Sequence, residues 1–266
     1  MPNSVFGYHQ EPDYVAPDVS NVFPTKFQPQ NTTDTPDSLF VNGMVLDPAS
    51  FKPAGSIGIR TKHYRFMSRS GNKDILISTD GACLNNGQAN PTAGCAFVFR
   101  PATLGNQPVK YGTFSLRLED CGPKGDSQAQ TSNRAELRAV IAALQFRIWV
   151  GEGWKRLIIA TDSEYVVKGA TEWIQGWQRK GWVTAKKEPV KNKDLWELLL
   201  KEVRKHAAKG LEILFWAIPR EQNSEADKAA KDAASLKDVP KFMKYTGVMC
   251  KPDEMATMAE FYEDTD

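Results

Sequence analysis

Hydrophobic positions first fall into a readable period at Asp74. Asp74–Thr79 (DILIST), Gly94–Phe99 (GCAFVF) and Tyr111–Leu118 (YGTFSLRL) are short apolar or alternating runs separated by turn-rich segments, which predicts three strands in an antiparallel meander. The period then changes: from Asn133, the residues Leu137, Val140, Ile141, Leu144 and Ile148 recur at helical spacing. Leu157–Ala160 (LIIA) reads as a fully buried strand, Tyr165–Trp177 and Leu195–Val203 as helices, and Glu212–Ile218 as a fifth strand. Ala226, Ala229, Ala230, Ala233 and Ala234 share one face of a closing helix. The order βββαβαβα predicts an α/β domain with a five-stranded mixed sheet, antiparallel first and parallel later, flanked by helices.

On either side the period is lost. Residues 1–71 mix Pro, Asn, Thr, Asp and Gln and read as a mostly irregular N-terminal arm, in which Leu39–Phe51 and HYRFM are the parts able to dock. The domain is expected over 72–236, and 237–266 as an acidic tail with room for a short helix. At 41% hydrophobic and 25% charged residues the chain can bury a core, which excludes wholesale disorder and fibrous classes. Apolar runs such as Ile213–Ile218 are too short to span a membrane, so no membrane partner is expected. Cysteines at 83, 95, 121 and 250 lack CxxC spacing, which argues against structural zinc and disulfides. With no signal-like N-terminus, a cytoplasmic or nuclear monomer is the expectation.

Charge is unevenly spread. Residues 1–60 carry a net −3 and 251–266 a net −5, whereas 61–250 carry +10. Arg179–Lys193 alone holds six basic residues against one Glu, a field that attracts polyanions. The acidic arm or tail could instead meet a protein partner or screen that face.

Acids stand at the predicted strand ends and helix starts: Asp80, Glu136, Asp162 and Asp227. Singly, each has a structural reading as a turn or capping residue. Jointly they differ, because neighbouring first and fourth strands would set Asp80 beside Asp162, with two helix N-termini supplying the others. Four gathered carboxylates need compensating charge, and all-oxygen ligands select Mg²⁺ or Mn²⁺ over zinc. Two such ions about 4 Å apart form the clamp for in-line phosphodiester hydrolysis.

TDGACLNN (79–86), TSNRAEL (131–137), TDSEYVVKG (161–169), WIQGWQRKGW (173–182), PVKNKDLW (189–196) and NSEADKAA (223–230) together closely resemble type 1 ribonuclease H. The resemblance implies the ribonuclease H-like fold with a basic protrusion at 173–193. It also implies Mg²⁺-dependent cutting of the RNA strand of an RNA–DNA hybrid, leaving 5′-phosphate and 3′-hydroxyl ends. By the same resemblance Asp80, Glu136, Asp162 and Asp227 are the catalytic metal ligands. Asn86, Ser132 and Asn133 read the minor groove and ribose 2′-hydroxyls, Tyr165 and Trp173 contact the DNA strand, and Thr131 and Asn192 hold its phosphate. Lys186, Lys187 and Lys191 belong to the protrusion, whose lysines can neutralise phosphates whatever the family.

Departures from the family pattern are specific. The loop before the last acid reads Pro219-Arg220-Glu221-Gln222-Asn223, shorter than the usual form and without its histidine, which points to a shorter variant with Arg220 or Glu221 as partial substitutes. Ala129, Ser132 and Ala185 replace the usual Arg, Asn and hydroxyl residue. Two other readings stand beside the nuclease: a catalytically silent nucleic-acid-binding or assembly module, and a related nuclease acting on double-stranded RNA or DNA.

Overall fold

The computed structural model describes residues 17–46, 62–101, 103–104, 107–108 and 112–247. Strand β1 (Thr25–Lys26), helical turn α1 (Pro36–Leu39), β2 (Phe40–Leu46) and β3 (Lys62–Ser68) precede the long β4 (Asp74–Leu84). Next come β5 (Thr92–Val98), a two-stranded clip of β6 (Thr103–Leu104) and β7 (Gln107–Pro108), and β8 (Thr113–Arg117). Helix α2 (Ser132–Phe146) leads to β9 (Arg156–Thr161). A broken helix follows, made of α3 (Glu164–Lys168), a π-helical turn over Gly169–Trp173 and α4 (Ile174–Arg179). The chain then runs through α5 (Lys193–Ala207), β10 (Glu212–Ala217) and α6 (Ser224–Ala233).

β4 organises the sheet. Its first half, Asp74–Ser78, pairs in parallel with β9, and β10 lies parallel beyond that. Its second half, Ser78–Leu84, pairs antiparallel with β5, which pairs with β8. These are the five strands read from the sequence, in a mixed sheet flanked by helices. Three more come from the segment expected to be mostly irregular. β1 adds in parallel to the edge of β10, and the β2–β3 hairpin adds through Phe66↔Leu76 and Met67↔Ile75. The arm therefore departs from that expectation over its described residues. A two-residue strand shows no alternation, and Asn42, Gly43 and Arg65 break the pattern of the hairpin, so the strands exist only through their distant partners.

The two sheet faces are covered differently. One packs on α2 and α5 in a large core that includes Phe97, Leu137, Ile141, Trp149, Trp196 and Phe215. The other exposes Leu76, Ile158, Ala160, Leu214 and Trp216, and the arm closes it with Phe27, Leu39, Phe40 and Phe66. The Phe27 ring lies 5.1 Å from that of Trp216. α6 covers Gly94 on β5, where a methyl group would overlap the helix backbone at Ala230 and Ala233. The alanine face of α6 is what permits this approach.

Arg65 of β3 is 1% exposed and forks onto Glu152, with contacts of 2.9 and 2.6 Å. Arg147 and the Trp154 indole N–H bond the same carboxylate, and Arg65 lies 5.4 Å from the ring centres of both Phe99 and Trp149. Beyond position 236 the described residues stay on the domain: Phe242 and Tyr245 pack on the core, and Arg138, paired with Glu119, donates to the Met243 carbonyl at 2.7 Å. The possible short helix near Met255–Tyr262 lies outside the described residues, as does Cys250.

Truncating Arg65 strands part of the Glu152 charge in the core. Arg65→Ala is expected to lower the stability of the full chain by about 3–5 kcal/mol in urea denaturation. A loss under about 1 kcal/mol would mean that the arm is only a surface appendage.

Candidate active site

Asp80 lies within β4, opposite Ala96 of β5, rather than in the Asp-Gly turn that its sequence suggested. β4 and β9 run parallel with Ser78 opposite Ala160, so Asp162, directly after the last residue of β9, follows where this pairing ends, level with Asp80 on β4. α2 begins at Ser132, capped by the Thr131 hydroxyl, which accepts from the Arg134 amide at 3.3 Å. Glu136 consequently sits one turn into the helix. Gly81 lets that turn press onto β4, since a methyl group would overlap the Glu136 amide.

One oxygen from each of Asp80, Glu136 and Asp162 can be chosen so that all lie within 4.8 Å of one another. Burial raises Asp80 to about 7, with the Asp162 charge adding to it and then that of Asp227. Burial likewise pushes Glu136 well up, reinforced by Asp80 and Asp162. The buried Glu136 Oε2 has no hydrogen-bond partner. Hard oxygen donors, mutual repulsion and an unpartnered buried oxygen fit a divalent cation held by these three side chains.

Asp227 departs from the expected quartet. It stands one turn into α6, near enough to raise Asp80, but outside the tight group. Its Oδ1 bonds Arg220 and its Oδ2 accepts from Lys231 Nζ at 2.6 Å. Although desolvation opposes ionisation, these two cations hold its carboxyl below the usual range. Arg220 Nη1 also stands 3.9 Å from Asp162.

Asn223 opens the motif at 223–230, and the sequence alone gives it no role at the site. It is 2% exposed, and its amide donates to the Thr79 carbonyl at 3.0 Å and to Asp162 Oδ1 at 2.9 Å. This ties the middle of β4, beside Asp80, to the acid after β9. Lys231 was also missed, although its spacing of four from Asp227 on a helix was a signal available in the sequence.

The residues assigned to nucleic acid fall into three sets. Tyr165, Trp173 and Asn192 come together: the Tyr165 hydroxyl accepts from Asn192 Nδ2 at 3.4 Å and from the Trp196 indole at 3.2 Å, and its ring lies 6.5 Å from that of Trp173. Trp173 is 37% exposed, while Trp177 and Trp182 pack against the core. Thr131, Ser132 and Asn133 share the start of α2 with Glu136, and Asn86 is exposed in the turn after β4. Lys186 and Lys187 are exposed at the tip of a loop closed by Thr184 N–H to Glu188 carbonyl (2.8 Å) and Val190 N–H to Trp182 carbonyl (3.0 Å). Lys191 is exposed at the base of that loop, before α5. Arg134 forks onto Asp194 at 3.0 and 2.6 Å, fixing the start of α5 against the start of α2.

The fold is α/β, and its acidic, all-oxygen centre gathers where the parallel pairing of β4 with β9 ends against the start of α2. The ribonuclease H family model matches residues 72–235. A ribonuclease H of Novosphingobium aromaticivorans is 42% identical over 168 residues, covering 61% of this chain and 97% of that protein. One from Zymomonas mobilis is 36% identical over 169 residues, covering 63% and 92%, and one from Treponema pallidum is 42% identical over 125 residues, covering 47% and 70%. The chain belongs to the ribonuclease H family and is a hydrolase of that class. No helix among the described residues is long and apolar enough to cross a membrane.

The raised acids carry a stability cost. A carboxyl whose pKa is about 7 in the folded state and near 4 when unfolded adds stability at low pH that is lost as pH rises through about 7. In chelator at pH 8, Asp80→Asn is therefore expected to be more stable than the parent by roughly 1–2 kcal/mol, a gain that fades at pH 4. Equal melting temperatures at pH 8 would show that burial and the neighbouring acids do not raise Asp80.

Proposed function

We propose that this chain is a type 1 ribonuclease H of the shorter variant without the loop histidine. In this reading it is an endoribonuclease that cuts the RNA strand of RNA–DNA hybrids and leaves 5′-phosphate and 3′-hydroxyl ends. The observation that carries the reading is the close group of Asp80, Glu136 and Asp162 inside the family match. Relatives named ribonuclease H that are covered over most of their length support the same chemistry. Asp80, Glu136, Asp162 and Asp227 would hold two Mg²⁺ ions, with Mn²⁺ as a substitute. Such ions supply water activation and charge neutralisation for in-line displacement at phosphorus.

The chain's own side chains do the rest. Asn223 orients Asp162, and Arg220 occupies the loop from which the family's histidine is missing, beside both Asp227 and Asp162. Asn86, Ser132 and Asn133 meet the minor groove, where the 2′-hydroxyl distinguishes RNA from DNA. Tyr165 and Trp173 offer ring faces to the DNA strand, while Thr131 and Asn192 hold its phosphate. Lys186, Lys187 and Lys191 grip the backbone from a loop whose own hydrogen bonds make it a fixed arm. The domain proposed to do this spans 72–236, although arm and tail residues complete its packing.

Incubation of labelled RNA–DNA hybrid, duplex RNA and duplex DNA with Mg²⁺, Mn²⁺ or chelator tests the assignment. Hybrid cleavage that requires the ion is expected, with Asp162→Asn reducing it at least a hundredfold while hybrid binding persists. Preferred cutting of duplex RNA or DNA would move the enzyme to another substrate class, and metal-independent cutting would refute the site. Replacing Lys186, Lys187 and Lys191 with Gln is expected to weaken hybrid binding and flatten its salt dependence by about one unit per lost phosphate contact. An unchanged slope would remove the loop from the interface.

A further inference from the structure

The four acids are not equally available to a cation. Asp80 and Glu136 accept no bond from a cationic side chain among the described residues, and Asp162 holds Asn223 through one oxygen with Arg220 3.9 Å from the other. Asp227 has both oxygens engaged, Oδ1 by Arg220 and Oδ2 by Lys231 at 2.6 Å. Lys231 is half-exposed on α6, four residues after Asp227, so the helix itself sets the two side chains on one face. Any ion that uses Asp227 must displace or share these partners and must also approach two fixed positive charges. An ion held by the other three acids displaces neither.

We infer that Lys231 is a positioning residue that holds Asp227 away from the other acids and weakens the binding of the one cation that needs Asp227. The inference rests on reading the acids as metal ligands. It adds an order of filling: the group of Asp80, Glu136 and Asp162 loads first, and the Asp227 position loads only when its internal cations yield. In the metal-free protein the same cations offset part of the carboxylate repulsion, so one pair of side chains both steadies the empty centre and restrains its complete loading. Arg220 reaches two acids from a loop, whereas Lys231, on a helix, bonds only Asp227 among the described residues. Lys231 is therefore the cleaner handle on this effect.

Calorimetric titration of the full chain with MgCl2 and with MnCl2, without nucleic acid, is the test. Removing one positive charge in contact with a ligand oxygen is expected to tighten the weaker binding step about tenfold in Lys231→Gln. The stronger step should stay within about twofold, and Lys231→Arg should restore the parental isotherm. In chelator, Lys231→Gln is also expected to melt below the parent, and to recover more than the parent when MnCl2 is added. Superimposable isotherms for Lys231→Gln and parent, or weaker binding in Lys231→Gln, would overturn the inference. A parent protein that takes up neither ion, with Asp80→Asn indistinguishable from it, would instead bring down the metal-site reading on which the inference stands.

Discussion

Mutual repulsion among buried carboxylates is the constraint around which this molecule is arranged. Asp80 and Glu136 would relax by turning outward if they could, and the fold denies them that freedom. Asp80 is fixed by the pairing of β4 with β5, and Asp162 by its place directly after β9. Glu136 is fixed by a helix turn seated on Gly81, where no side chain intervenes. Asn223 then locks Asp162 to the backbone of β4. The strain is local and is borne by a rigid sheet, which suits a centre that gains its stability when a cation arrives.

The rest of the chain supplies that rigidity. α2 and α5 close one face of the sheet, and the arm closes the other with Phe27, Leu39, Phe40 and Phe66. Arg65 carries the arm into the interior, where its charge is matched by Glu152. The Arg134–Asp194 fork joins the starts of α2 and α5, so the surface that bears Tyr165 and Asn192 keeps a fixed relation to the acids. The proposed cleavage needs such a relation, since residues that hold a substrate and residues that act on it must keep one geometry.

Positive charge is used at two ranges. In the protrusion, Lys186, Lys187 and Lys191 are solvated and free to meet a polyanion. At the centre, Arg220 and Lys231 are committed to acids of the chain itself. A count of basic residues over 61–250 does not separate these roles, because it sums charges that are already neutralised with charges that are not.

Periodicity in the sequence determined the five core strands and the main helices, because repeating burial on one face leaves a regular trace. Asp80, Glu136 and Asp162 stood out only jointly, by their places at strand ends and helix starts and by the resemblance of the motifs that carry them. Tertiary structure alone decided what depends on partners far apart in the chain. It made strands of Thr25–Lys26 and Phe40–Leu46, buried Arg65 opposite Glu152, and carried Asp80 inside a strand where Asp-Gly suggested a turn. It also turned Asp227 toward Arg220 and Lys231, since the choice between a cation of the chain and a neighbouring acid rests on distances that no spacing along the sequence encodes.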